Sequence, residues 1–337
     1  MTGEKKMQEK IDALFQEFDR SHVPGASIAI IRNGEFLFNK SYGMANLEDK
    51  IPATPFTNYR LASVSKQFTV MAIMILKQKR ALNLDDPIMK FFPDFPKVAE
   101  NITMRHLLNH TSGLVNYEDI IPPYRSAQLK DQDVLALLKT QHGTYFIPGA
   151  AYRYSNTGYA LLALIVEHLS GQRFADFMRE NIFLPLGMTE TVLFEQGIST
   201  VKNRAFGYKQ TDKGFELNDQ SLTSAVLGDG GVYSSIMDYF KWDQALYGET
   251  LVSRDILDEA FTSGKLSDGT LAGYGFGWRV EEKNGMKIVH HNGSTCGFNT
   301  AVRRVPEKRL TIVIFANRSG KQSHQISDEL IDNLRNL

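Results

Sequence analysis

Hydrophobic and polar positions divide the chain into two similar ends and a different middle. Near the N-terminus, Met7, Ile11, Leu14, Phe15 and Phe18 recur at helical spacing, which predicts an amphipathic helix ended by Pro24-Gly25. Residues 26–31 then read as an apolar strand, Asn33-Gly34 is a strong hairpin signal, and residues 35–42 return as a second strand. The other end has the same character. Residues 275–281, 286–290, 298–305 and 309–316 each read as a strand bounded by turn residues, and Ile326, Leu330, Ile331 and Leu334 restore helical spacing. Consecutive strands joined by short turns favour antiparallel pairing.

Between them the pattern is mostly helical, over residues 102–109, 131–140, 159–169, 174–183 and 236–246. The expectation is an α+β fold: an antiparallel sheet built from both chain ends and flanked by terminal helices, with a mostly helical insertion. On that division residues 1–60 and 266–337 form the sheet domain and residues 61–265 the helical domain, with a cleft between them.

One stretch departs from amphipathicity. Residues 67–76 are apolar in nearly every direction, the mark of a buried central helix. At its start stand Ser63 and Lys66, and a spacing of three puts both on one face. Lysine held there loses solvation, which favours the free amine, and a neutral amine beside a hydroxyl can make serine nucleophilic. The motif is short, however, and occurs again at Ser199 and Lys202 in a polar stretch without that pattern. Company elsewhere must decide.

Composition narrows the field. With 337 residues, 42% of them hydrophobic, the chain can bury a large core, and 38 basic against 38 acidic residues suggest neither a nucleic-acid partner nor a polybasic membrane contact. The single cysteine, Cys296, excludes an internal disulfide and reads as a packing or rim residue. Residues 1–10 lack a signal-peptide core, and the longest apolar run, residues 70–76, is too short to span a bilayer. The chain as written therefore reads as soluble and cytoplasmic, or periplasmic or extracellular if a leader has been removed. Oligomeric state is not legible.

Three features join Ser63 and Lys66. Tyr154-Ser155-Asn156 precedes a predicted buried helix; a tyrosine can relay protons, and an asparagine can hold a lysine while donating to substrate. His291-Asn292-Gly293-Ser294 follows a predicted strand, where glycine permits close approach of a substrate to the backbone. Gly228-Asp229-Gly230-Gly231 is a candidate cleft wall.

This combination resembles the serine β-lactamase and penicillin-binding protein superfamily, in the branch containing class C β-lactamases, D-alanyl-D-alanine carboxypeptidases, D-aminopeptidases and related esterases. The run from Ile102 to Leu114, the stretch from Tyr154 to Gly158 and Leu184-Pro185-Leu186-Gly187-Met188 are similar to that branch, and the active-site motifs occur in its order. The resemblance implies a β-lactamase/transpeptidase-like fold, no cofactor, and a small-molecule or peptide acyl substrate. It implies that Ser63 is the nucleophile and that Lys66 and Tyr154 share the base work. Asn156 would hold Lys66 and touch the substrate amide. His291, Asn292 and Gly293 would flank the cleft, and the backbone N–H groups of Ser63 and Ser294 would form the oxyanion hole.

Class C β-lactamases carry Lys-Thr-Gly where this chain has His291-Asn292-Gly293. The difference tilts the expectation away from β-lactamase activity and towards a D-amino-acid peptidase or broad esterase. A modest β-lactamase, or a penicillin-binding sensor that acylates without turnover, is the alternative. A histidine with a reference pKa of about 6.5 would also make carboxylate recognition at position 291 fade as pH rises. His106 and His110 stand four apart, but Leu107 replaces the glutamate a zinc protease needs, so no metal is expected and a role in a helix-capping loop is. No Gly-x-Ser-x-Gly elbow occurs.

Overall fold

A computed structural model describes residues 3–320 and 322–334. The N-terminal pattern forms helix α1 (Gly3–Leu14), and strands β1 (Ala26–Arg32) and β2 (Glu35–Tyr42) follow. Asn33 and Gly34 join the two strands with φ of 53° and 83°, the twist a tight hairpin requires. At the other end lie β3 (Arg279–Lys283), β4 (Met286–Thr295), β5 (Phe298–Val305) and β6 (Leu310–Ala316), followed by the C-terminal helix (Gln322–Leu334).

These strands make one six-stranded antiparallel sheet in the order β3-β4-β5-β6-β1-β2. The two chain ends meet inside it, where β1 pairs with β6 from Ala26↔Ala316 to Arg32↔Leu310. Side chains alternate between the faces. Ile28, Ile30, Ile312 and Ile314 pack under the terminal helices against Phe15, Phe18, Leu330 and Ile331. Ala29, Ile31, Val313 and Phe315 face the other way, into a core shared with the intervening helices. Coverage on both sides explains why β1 reads as a nearly unbroken apolar run.

In the middle of the chain, a 3-10 turn (Ala62–Ser65) leads into α2 (Lys66–Gln78), whose residues from Lys66 to Leu76 are all buried. Helices α3 (Met104–Leu108), α4 (Asp131–Lys139) and α5 (Thr157–Ser170) follow, and α2 and α4 both pack against α5. The helix expected over 174–183 is α-helical over Phe174–Met178 and widens to π geometry over Arg179–Phe183. Among the described residues, no helix is long and apolar enough to cross a membrane.

Two strand boundaries differ from the sequence pattern, and both differences bear on the site. The strand expected from 275 begins only at Arg279, because the preceding backbone is pressed into the core: a Cβ on Gly275 would stand 2.3 Å from the Ala260 carbonyl, and Gly277 takes φ of 74°. Strand β4 runs on to Thr295 instead of stopping at 290. His291 to Ser294 therefore lie within a strand, and β3 pairs with β4 only as far as His290.

Candidate active site

Ser63 is the half-buried residue in a turn that is otherwise buried. The turn is tied down from three sides. Leu61 N–H donates to the Val232 carbonyl at 2.8 Å, Thr300 Oγ1 donates to the Leu61 carbonyl at 2.8 Å, and Ser65 Oγ accepts from Val232 N–H at 3.1 Å. Ala62 adopts φ of 50°, a left-handed conformation unusual outside glycine, and such strain persists where the surroundings enforce it. The enforcing neighbour is β4. A Cβ on Gly293 would stand 2.3 Å from the Leu61 carbonyl and 2.3 Å from Thr300 Oγ1. Glycine at 293 thus lets the strand lie against the Ser63 turn; the close approach expected there of a substrate is made by the chain itself.

Lys66 is fully buried, and its Nζ has three oxygen partners: Ser63 Oγ at 3.2 Å, Asn156 Oδ1 at 2.8 Å and the Asp229 carbonyl at 2.8 Å. Asn156 opens α5, and its placement is enforced in turn. Its N–H donates to Asn116 Oδ1 at 3.1 Å, and its Nδ2 donates to Glu118 Oε1 at 3.2 Å. The Asp229 carbonyl comes from the single helical turn Leu227–Gly230, whose first N–H groups donate to the carboxyl of Asp131 in α4 at 2.9 and 3.1 Å. Burial pushes Asp131 up to about 7, opposed by those two N–H bonds. Burial likewise pushes Asp229 up to about 6, opposed by Lys66 and by the Tyr117 hydroxyl, which donates to it at 2.9 Å.

Tyr154 lies beside this group, with Lys66 Nζ 5.1 Å from its ring centroid. Its hydroxyl is buried and has no hydrogen-bond partner among the described residues. Ser63, Asn156, Asp229, Glu118, Arg60 and Ser294 border one cleft. An amine within hydrogen-bond reach of a partly exposed hydroxyl, with a phenol close by, can exchange protons with a group bound there.

The strand motif requires correction. His291 is buried, with both ring nitrogens engaged: Nδ1 donates to the Asn292 carbonyl at 2.7 Å, so Nε2 accepts from the Tyr274 hydroxyl at 2.8 Å. Burial, and then the charge of Lys66, hold its pKa well below the ordinary value, so it brings no cation to the cleft. Asn292, one residue on, faces the opposite side of the sheet, and its Oδ1 accepts from Arg303 at 2.7 Å. Ser294 is exposed and borders the cleft.

Four residues at the site carry no signal in the sequence. Arg60, Asn116, Tyr117 and Glu118 belong to no motif; the last three are marked only by following the stretch that ends at Leu114. The second Ser-x-x-Lys is structural. Ser199 Oγ accepts from Glu195 N–H at 2.8 Å, and Lys202 pairs with Glu190 at 3.2 Å. His106 completes a capping box with Thr103 at the start of α3, and His110 turns towards the 153–155 segment. Cys296 is half-buried beside Thr295, which borders the cleft.

Residues 11–335 match the protein family described as Beta-lactamase. The chain belongs to that family. Penicillin-binding protein 4* of Bacillus subtilis (strain 168) is 33% identical over 332 residues, covering 94% of this chain and 73% of that protein. Protein flp of Staphylococcus aureus (strain MRSA252) is 27% identical over 96% of this chain and 65% of its own length. Among solved structures, the octameric penicillin-binding protein homologue from Pyrococcus abyssi superposes with a TM-score of 0.83 at 28% identity, covering 99% of this chain and 78% of that one. The D-amino acid amidase from Ochrobactrum anthropi SV3 complexed with D-phenylalanine superposes with a TM-score of 0.79 at 26% identity, covering 98% and 99%. The family is one of serine hydrolases, and this chain is a serine hydrolase of the family.

Proposed function

We propose that the enzyme forms an acyl-enzyme on Ser63 and cleaves the amide of a substrate with a free α-ammonium group, such as a D-amino-acid amide or short D-amino-acid peptide. Two of the Lys66 partners, Asn156 Oδ1 and the Asp229 carbonyl, can only accept hydrogen bonds. A free amine gives its two hydrogens to them and turns its lone pair to Ser63 Oγ. Lys66 takes the Ser63 proton as the oxygen attacks the substrate carbonyl. The N–H groups of Ser63 and Ser294 receive the oxyanion, at about 3 kcal/mol per donor. Tyr154 then gives a proton to the leaving amine and regains one from Lys66. Water releases the acyl group by the same steps in reverse.

The substrate assignment rests on Glu118. Its exposed carboxylate borders the cleft and holds Asn156 Nδ2 at 3.2 Å, so a negative charge stands where a substrate amine would approach. The neutral state of His291 supports the same direction, because no cation replaces the lysine of β-lactamases. The likeness to an amidase complexed with D-phenylalanine agrees. A D-phenylalanine anilide and its N-acetyl form test the idea. Acetylation should lower kcat/KM by about 10- to 100-fold in the wild type, the worth of a charge-assisted hydrogen bond, and by much less in Glu118→Gln. Equal losses in both proteins would rule out the amine contact.

Arg279 supports a second reading. Its guanidinium lies 5.8 Å from the Tyr154 ring centroid and makes no ion pair among the described residues, so it suits a substrate carboxylate and a carboxypeptidase. A preference for a D-alanyl-D-alanine peptide over its C-terminal amide, lost in Arg279→Gln, would favour that assignment.

A further inference from the structure

We propose that His110 is a positioning residue for Tyr154: it clamps the backbone on both sides of that tyrosine and so aims its hydroxyl at the leaving group. The inference rests on the role given to Tyr154 above and adds what holds Tyr154 in place. Arg153 N–H donates to the His110 carbonyl at 3.0 Å, and Ser155 N–H donates to His110 Nδ1 at 3.2 Å. The residues before and after Tyr154 are thus tied to one residue. The His110 ring also lies against the Tyr154 ring, with centroids 4.3 Å apart, closer than those of Tyr274 at 6.2 Å or His291 at 6.0 Å. Since the Tyr154 hydroxyl has no hydrogen bond among the described residues, its aim is set from its backbone and ring, and His110 holds both.

Two features show that position 110 serves more than packing. His110 adopts φ of 59°, a strained conformation for a residue with a side chain, and in that conformation its carbonyl and its ring both reach the 153–155 segment. Its Nδ1 accepts a hydrogen bond, so the ring proton is on Nε2, which is buried without a partner among the described residues. A phenylalanine would fill the same aromatic cage without burying an unpaired N–H. The imidazole retains that penalty together with the one atom able to receive Ser155 N–H. Burial disfavours the imidazolium, and the acceptor is kept.

The test compares an anilide with an activated p-nitrophenyl ester in wild type, Tyr154→Phe, His110→Phe and His110→Asn. Poor leaving groups need protonation and good ones do not. His110→Phe keeps the ring and loses the acceptor, and should lower kcat on the anilide by about 10- to 100-fold, the cost of misplacing a catalytic group, with KM little changed and the ester nearly unaffected. Asparagine tolerates the left-handed conformation and offers Oδ1 at the position of Nδ1, so His110→Asn should recover most of the anilide rate. If His110→Phe does not fold, His110→Gly, which accommodates the φ but has no acceptor, takes its place against His110→Asn. An amide-selective loss in Tyr154→Phe with none in the acceptor-less His110 variant overturns the clamp alone, as does a His110→Asn no better than that variant. Equal losses on both substrates in Tyr154→Phe overturn the reading of Tyr154 and the clamp with it.

Discussion

Lys66 Nζ and Asn156 Oδ1 lie 2.8 Å apart, and that contact helps decide which direction of the amine is left for chemistry. With Asn156 and the Asp229 carbonyl both accepting, the remaining hydrogen-bonding contact of the amine is with Ser63 Oγ. Asn156→Asp would keep the shape and add a negative charge at this contact. That charge favours the ammonium over the free amine, so the acylation rate should fall at least about 10-fold, and further than in Asn156→Ala. Stopped-flow acylation by a chromogenic ester measures it. Wild-type acylation by Asn156→Asp would remove the free amine from the mechanism.

The two Ser-x-x-Lys motifs give opposite expectations. Ser63 Oγ has a lysine at 3.2 Å, whereas Ser199 Oγ donates to the Leu193 carbonyl at 3.1 Å in a turn whose lysine pairs with Glu190. A fluorophosphonate, boronate or β-lactam should label Ser63 only. Ser63→Ala should lose the label and at least about 1,000-fold of turnover, and Ser199→Ala should keep both. Intact-protein and peptide mass spectrometry decide the matter, and a label mapping to Ser199 would overturn the assignment.

Gly293 offers a packing test. A methyl group there would meet the Leu61 carbonyl at 2.3 Å and push β4 away from the turn that carries Ser63. Gly293→Ala should lower stability by about 1–3 kcal/mol and depress turnover through the displaced serine. Gly171→Ala is the contrast: φ is 68°, but an added Cβ would meet no packed neighbour within 4 Å among the described residues, so it should cost about 1 kcal/mol and leave turnover unchanged. Thermal melts and steady-state kinetics separate the two. Full turnover in Gly293→Ala would show that the contact does not hold the serine.

How much of this was legible depended on range. The Asn33-Gly34 hairpin, the buried helix after Ser63 and the sheet made from both chain ends follow from local pattern, because turn chemistry and hydrophobic period are local properties. Ser63, Lys66, Tyr154 and Asn156 announced themselves as motifs. Arg60, Asn116 and Glu118 did not, since what makes them part of the site is their meeting across the cleft. For His291 and Asn292 the difference between sequence pattern and structure is geometric. Neighbours on a strand face opposite ways, so both could not flank one cleft, and the strand's extension to Thr295 was hidden by Gly293.

Stability should depend on pH through His290. Burial, and then the charges of Arg303 and Arg279, lower its pKa to about 3, whereas in the unfolded chain it titrates near 6.5. Between those values the unfolded state binds a proton that the folded state does not, so stability falls as pH falls from about 6.5 towards about 3. His290→Gln removes that proton and should flatten the curve by up to about 1.4 kcal/mol per pH unit. Denaturant unfolding across that range measures the slope, and identical slopes in the two proteins would show that His290 is not buried in its neutral form.

Carboxylate recognition should not follow the titration of His291, the reverse of what a histidine in place of the lysine of class C β-lactamases suggests. To attract a carboxylate, His291 must be an imidazolium. It is buried, its Nδ1 proton is committed to the Asn292 carbonyl, and its Nε2 receives the Tyr274 hydroxyl. Burial and Lys66 keep it neutral well below pH 6.5. The pH dependence of the shared chemical step largely cancels when two substrates share a scissile bond and differ only in a carboxylate or its neutral amide. The pH profile of the ratio of their kcat/KM values should therefore be the same in the wild type and in His291→Gln. If Arg279 binds the carboxylate, the ratio is raised above one in both proteins, because a guanidinium keeps its charge throughout. A ratio that falls severalfold through pH 6.5 in the wild type, and not in His291→Gln, would return His291 to the cleft as a cation.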